Sequence, residues 1–209
     1  MRLTPGGPVL VFGGSFDPPT LAHVTLPPLA AESIGASRLI YVPAAISPHK
    51  TESPPATAEH RLAMLRLAIA DLEGAEIDTR ELDRGGVSRT VDTLESLRRE
   101  IEASVPIRLL IGTDQVSVFD QWHRWEDIPQ IAEPVVMVRG DDDVAPLLVS
   151  LSETQGGEWA AQWSDRLLTL PRMDQSSTHA RSSTATLRSE VPDSVADYIE
   201  ANGLYGRVE

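Results

Sequence analysis

The stretch GGSFDPPTLAH, from Gly13 to His23, follows the apolar run PVLVF and concentrates groups suited to holding phosphate. Gly13 and Gly14 let the backbone come close to a ligand. The exposed amides around them can cradle phosphate oxygens. A helix after the turn would add its positive N-terminal end. Thr20 offers a hydroxyl and His23 a ring donor. A glycine pair after a strand is by itself more often only a turn, so the rest of the chain must decide.

Further polar groups recur downstream. His49 and Lys50 sit after a proline, and alone such a pair reads as solvated surface. Ser176, Ser177 and Thr178 precede Arg181. They form a capping cluster for a helix running toward Arg188, a role compatible with anion binding. Trp122 presents a flat indole that can stack on a heteroaromatic ring, although a tryptophan is more often core or interface filler, as Trp125 reads here. The three consecutive aspartates after Gly140 cannot share one face and read as a solvated loop. With no cysteine in the chain, disulfides, zinc-thiolate sites and thiol nucleophiles are excluded.

These groups need a scaffold, and the hydrophobic pattern supplies one. Short runs rich in Val, Ile and Leu predict strands over 9–12, 38–42, 76–80, 107–111, 134–138 and 167–170. Several lack polar alternation, as parallel strands covered on both faces do. Helix-period stretches predict helices over 57–72, 90–102, 145–152 and 195–202, the last closed by Gly203. Pro27 and Pro28 fall where a helix after His23 should be running. Either that helix is kinked, or it begins near Pro27 with Thr25 as its cap. The expected fold is α/β: one doubly wound parallel sheet spanning residues 1–209 as a single domain, with a C-terminal helical segment.

Lys and Arg number 18 against 31 Asp and Glu, a net charge of −13. That balance argues against a nucleic-acid partner, whose phosphates need neutralising, but leaves room for a small phosphorylated ligand. The first residues break at Pro5, Gly6 and Gly7, and their apolar run is too short for a signal segment or a membrane span. A cytoplasmic protein with no membrane partner is expected. A homo-oligomer is left open.

Taken in order, six segments resemble the nicotinate-mononucleotide adenylyltransferase branch of the nucleotidyltransferase superfamily. GGSFDPPTLAH is similar to its G-x-F-D-P-x-(T/H)-x-G-H signature, and SPHK (47–50) to its PPHK loop. SRTVDTL (88–94), IGTDQVSVFDQW (111–122), DQSSTHAR (174–181) and VPDSVADYIEANGLY (191–205) resemble its later motifs. The resemblance implies a Rossmann-like fold and transfer of AMP from ATP to nicotinate mononucleotide, with pyrophosphate leaving. The acceptor phosphate is already ionised near neutrality, so positioning and charge stabilisation carry such a reaction and no general base is required. It further implies His23, Lys50 and Arg181 as catalytic donors around the phosphates. ATP contacts would come from Gly13, Gly14, Ser15, Phe16, Thr20, Ser177 and Thr178. His49, Thr90, Asp92, Asp114, Trp122 and Arg139 would line the mononucleotide site, with Trp122 stacked on the pyridine. Mg²⁺ would arrive held mainly by ATP phosphates and water, with no metal site of the protein's own.

Two departures stand out. TLAH places Thr20 where many relatives carry His, and Ala22 where the signature has Gly. Alanine fits if the backbone φ is negative and is strained if φ is positive. SST also occurs twice. The first frame, ending at Arg181, is preferred, and Arg188 is the reserve. A phosphopantetheine adenylyltransferase, or a non-catalytic nucleotide sensor, are the alternative readings.

Overall fold

The computed structural model describes residues 1–47, 56–139, 144–183 and 185–206. The order begins β1 (Val9–Gly14), α1 (Leu21–Ser33), β2 (Arg38–Pro43), α2 (Ala58–Ala68) and β3 (Ala75–Ile77). The short α3 (Arg80–Arg84) leads to α4 (Thr90–Glu100) and β4 (Ile107–Gly112). Next come α5 (Thr113–Val116), α6 (Ile128–Ile131), β5 (Glu133–Arg139), α7 (Ala145–Gln155), α8 (Gly157–Ser164) and β6 (Leu167–Leu170). Then follow α9 (Ser177–Ser182), α10 (Leu187–Glu190) and α11 (Asp193–Ala201).

All pairings between these strands are parallel, in the order β3-β2-β1-β4-β5-β6. This is the doubly wound sheet the strand pattern predicts. The chain moves outward from β1 to β3, then returns to place β4 on the other side of β1. That reversal opens a crevice beyond the carboxyl ends of β1 and β4, where open α/β sheets bind ligands.

Period-2 alternation sorts the strand residues onto two apolar faces. Val9, Val11, Leu109 and Ile111 join Val91, Leu94 and Leu97 of α4 and the buried Phe119 and Trp163. Leu10, Phe12, Leu39 and Tyr41 face Leu26, Ala30 and Ala31 of α1 and Leu65 of α2. A third cluster packs the C-terminal helices on α2 through Met64, Ala180, Leu187, Val195 and Ile199.

Several boundaries differ from the sequence reading. α1 runs through Pro27 and Pro28, and its N-cap is Thr20, not Thr25. The third strand stops at Ile77. The Asp78 carboxylate accepts from the Arg80 amide and guanidinium, and Thr79 leaves the extended region at φ −89°, ψ 4°. α2 ends at Ala68, before the reversal at Gly74 that leads into β3. The helix begun at 145 runs to Gln155, and Gly156, with a φ of 93°, separates it from α8, an element the sequence pattern did not mark. The segment toward Arg188 is not one helix: Ser183, extended, divides α9 from α10.

Candidate active site

A cleft of about 980 Å³ opens at the switch point, lined by the ends of β1, β2 and β4 and by the first turns of α1 and α4. Gly13, Gly14 and Ser15 form one wall, with Thr20, Ala22 and His23 beside them and Ser176, Ser177 and Thr178 completing that end. Thr90, Asp114 and Trp122 line it too. Chain segments far apart in sequence therefore meet in one cavity. Gly14 sits in close approach to Phe16: a Cβ there would lie 3.0 Å from the ring, which would have to shift to admit it.

His23 is held by Thr20, by two aromatic rings and by Tyr41. As N3 of α1 it faces the N-cap, and the Thr20 backbone N–H donates to its Nδ1 at 2.9 Å. An amide can only donate, so Nδ1 accepts, and in the neutral ring Nε2 carries the proton. The Thr20 hydroxyl lies 2.8 Å from the same nitrogen and donates as well. The ring is flanked by Phe16 at 5.4 Å and Phe12 at 6.0 Å.

The third contact explains how α1 tolerates Pro27. Proline has no N–H, so the carbonyl of His23 loses its helical i→i+4 partner. The Tyr41 hydroxyl donates to that carbonyl at 3.0 Å, replacing the missing bond with one from β2. Tyr41 is fully buried, and burial raises its hydroxyl pKa well above the usual tyrosine range, so it remains a donor. Ala22 is an ordinary α-helical residue with negative φ, so the alanine in TLAH is unstrained.

Thr20 has no exposed surface, and its hydroxyl is committed to His23. Phe16, 1% exposed, packs against His23 and is not among the cleft-lining residues. Arg181 also lies off the lining. Its Nη1 donates to the carbonyl of Asp17 at 2.6 Å and its Nη2 to Thr178 Oγ1 at 3.4 Å. Ser177 Oγ donates to the Pro18 carbonyl at 2.9 Å, and Ser176 caps α9 by accepting from the His179 amide at 3.1 Å. Arg188 is held on the surface by Asp197 and Glu200, both at 2.7 Å, so the first SST frame is the one at the cleft.

Asp114 is exposed and accepts from the Gln115 side chain at 2.9 Å. A Cβ on Gly112 would fall 2.5 Å from the Asp114 carboxylate, so a side chain there would make that exposed carboxylate move aside. Asp92 is half-buried and off the lining. Arg139 ends β5. His49 and Lys50 lie outside the described residues.

The sequence reading did not mark several groups that shape this site. Arg61, 2% exposed, donates to the carbonyls of Ser15 at 2.8 Å, Ala45 at 3.0 Å and Ala56 at 3.1 Å. Burial lowers its pKa from the usual arginine value, opposed by the nearby Asp17. Glu81, 8% exposed, lines the cleft and accepts from the Thr93 hydroxyl at 2.5 Å, and Thr93 Oγ1 accepts from Arg84 at 3.1 Å. Arg89 and His123 lie at the Trp122 end, where Arg89 Nη1 donates to His123 Nε2 at 3.3 Å. Nothing in local spacing announces a partner so distant in sequence. Only the Arg in SRTVDTL and the His directly after Trp122 were visible as polar neighbours of marked positions.

An amide-rich turn and an oriented histidine at the switch point of an all-parallel sheet are what an α/β nucleotidyltransferase builds, and the cytidylyltransferase-like family model matches residues 11–185. A probable nicotinate-nucleotide adenylyltransferase of Marinobacter nauticus is 35% identical, with 94% of this chain and 96% of the relative covered. Another, of Gemmatimonas aurantiaca, is 37% identical over 93% of this chain and 90% of its own. By this likeness over nearly the whole length, the chain belongs to the nicotinate-nucleotide adenylyltransferase family. The fold is also that of a Plasmodium falciparum nicotinic acid mononucleotide adenylyltransferase complexed with NaAD, at a TM-score of 0.74 and 17% identity, covering 97% of this chain and 98% of that one. Among the described residues no helix is long and apolar enough to cross a membrane.

Proposed function

We propose that this protein transfers AMP from ATP to nicotinate mononucleotide, giving the deamido dinucleotide and pyrophosphate. The observation that carries the reading is the orientation of His23. Two donors from Thr20 fix Nδ1 as an acceptor, so Nε2–H is the ring's donor for phosphate in the cleft that His23 lines. The glycine turn supplies backbone amides, and the Ser177–Thr178 pair lies at the same end of the cleft, tied to the loop through the Pro18 carbonyl. The mononucleotide phosphate attacks the α-phosphorus directly, and the P–O bond to the leaving pyrophosphate breaks. Its charge is met by His23, by Arg181 once released from the Asp17 carbonyl, and by Lys50 in the segment after β2.

Trp122 stacks on the pyridine at the other end. Arg89 supplies a cation for the pyridine carboxylate there, with Thr90 beginning the adjacent helix. Asp114 takes a ribose hydroxyl, as its exposed carboxylate beyond β4 allows. His49, Asp92 and Arg139 belong to the same reading as secondary mononucleotide contacts. Mg²⁺, carried by the triphosphate, would offset part of its charge. Its ligands would be mainly phosphate and water oxygens, as that ion usually prefers. A cytoplasmic location goes with this reading.

The test incubates the protein with ATP, Mg²⁺ and one acceptor at a time: nicotinate mononucleotide, nicotinamide mononucleotide or phosphopantetheine. Pyrophosphate release should be fastest with the first. Turnover confined to phosphopantetheine, or nucleotide binding without turnover, would refute the proposal.

A further inference from the structure

Asp17 is the best-buried carboxylate beside the cleft, 3% exposed, and the transfer reaction described above makes no use of it. Its Oδ1 accepts from the Tyr205 hydroxyl at 2.7 Å and from the Ala56 amide at 3.1 Å. Its backbone carbonyl accepts from Arg181, while the carbonyls on either side of it in the loop, Ser15 and Pro18, accept from Arg61 and Ser177. The loop between β1 and α1 is thus held from α2, from α9 and from a tyrosine 188 positions away in sequence.

Backbone strain marks the two ends of this contact. Phe16, directly before Asp17, has φ of 48°, and Tyr205 has φ of 61°. Both are left-handed conformations that bulky residues seldom adopt. Such conformers persist where surrounding contacts over-determine them. Here those contacts are the packing of Phe16 against His23 and of Tyr205 against the third apolar cluster, together with the hydrogen bond between Tyr205 and Asp17. Burial, then the nearby Asp17, raises the Tyr205 pKa far above the ordinary tyrosine range, which keeps the hydroxyl a donor at any working pH.

We propose that the Tyr205–Asp17 hydrogen bond is a latch that positions loop 15–18, and with it the turn amides and His23, for ATP. Tyr205 is then a positioning residue, acting on nucleotide affinity through Asp17 without contacting the nucleotide. The inference rests on the reading of the Gly13–His23 turn as the ATP site. Linkage makes it reciprocal: if the latch favours ATP binding, ATP must favour the latch.

The experiment compares wild type with Tyr205→Phe, which loses only the hydroxyl. The KM for ATP and the Kd for a non-hydrolysable ATP analogue should rise about tenfold, equivalent to about 1.4 kcal/mol. The KM for nicotinate mononucleotide should stay within about twofold. A purely structural role would lower Tm and the active fraction without this split. Asp17→Asn, which keeps an acceptor oxygen, should retain more ATP affinity than Asp17→Ala. Should the variants fail to fold, hydrogen exchange on the wild type decides: the ATP analogue should slow exchange around Tyr205, and the mononucleotide alone should not. Wild-type ATP KM in Tyr205→Phe, or exchange near Tyr205 indifferent to the analogue, overturns the latch. A wild type that binds no ATP refutes instead the reading on which it rests.

Discussion

Replacing Tyr41 with phenylalanine removes one oxygen from the core and leaves the His23 carbonyl without its donor. The helix cannot resupply one, because residue 27 is proline and carries no N–H. An unsatisfied group beside a fully buried ring costs about 1–3 kcal/mol. For a chain of this size that lowers Tm by roughly 2–4 °C per kcal/mol. The decisive assay is a double-mutant cycle with Pro27→Ala, read by urea denaturation. Alanine at 27 restores the amide that can bond His23, so Tyr41→Phe should cost far less in that background. A coupling of at least about 1 kcal/mol is expected. Equal cost of Tyr41→Phe in both backgrounds would refute the claim that Tyr41 substitutes for the bond that Pro27 removes.

Thr20→Val should lower kcat about tenfold with little change in mononucleotide KM, because it removes one of the two donors to Nδ1 and keeps the backbone N–H and the cleft shape. His23→Ala should lower kcat further still, and an unchanged kcat in it would remove His23 from its role. Arg89→Gln should reduce the kcat/KM preference for nicotinate over nicotinamide mononucleotide by about tenfold, the size of a charge-assisted hydrogen bond; an unchanged ratio would place the acid's recognition elsewhere. Alkaline pH offers a separate check on Tyr41. Its folded pKa is raised above the unfolded value near 10, so its contribution is complete below that pH and fades as pH rises past it. Stability should fall by up to about 1.4 kcal/mol per pH unit there for this group, and less steeply in Tyr41→Phe. Identical slopes in the two proteins would count against its buried protonated state.

The sheet was largely legible because parallel strands buried on both faces are written as apolar runs, and β6 at Leu167–Leu170 fell where the pattern put it. The third strand was overextended through the polar DTR after Ile77, where the Asp78–Arg80 contacts turn the chain away. The two prolines in α1 were visible as a conflict. Their resolution was not, since the replacement donor, Tyr41, lies on another strand. The cleft followed the same rule. Residues inside contiguous motifs, such as Gly13, Gly14, His23 and Trp122, were marked by their neighbours in sequence. Arg61, Glu81 and the Asp17–Tyr205 pair act through partners that only the folded chain brings near.

Stereochemistry at the transferred phosphorus tests the central claim most directly. ATPαS of one configuration is supplied with nicotinate mononucleotide, and the configuration at phosphorus is determined in the dinucleotide formed. A single in-line attack by the mononucleotide phosphate, with no side-chain nucleophile, predicts a dinucleotide of inverted configuration. Retention, which requires an adenylylated intermediate on the protein, would contradict the account, and so would the absence of any dinucleotide.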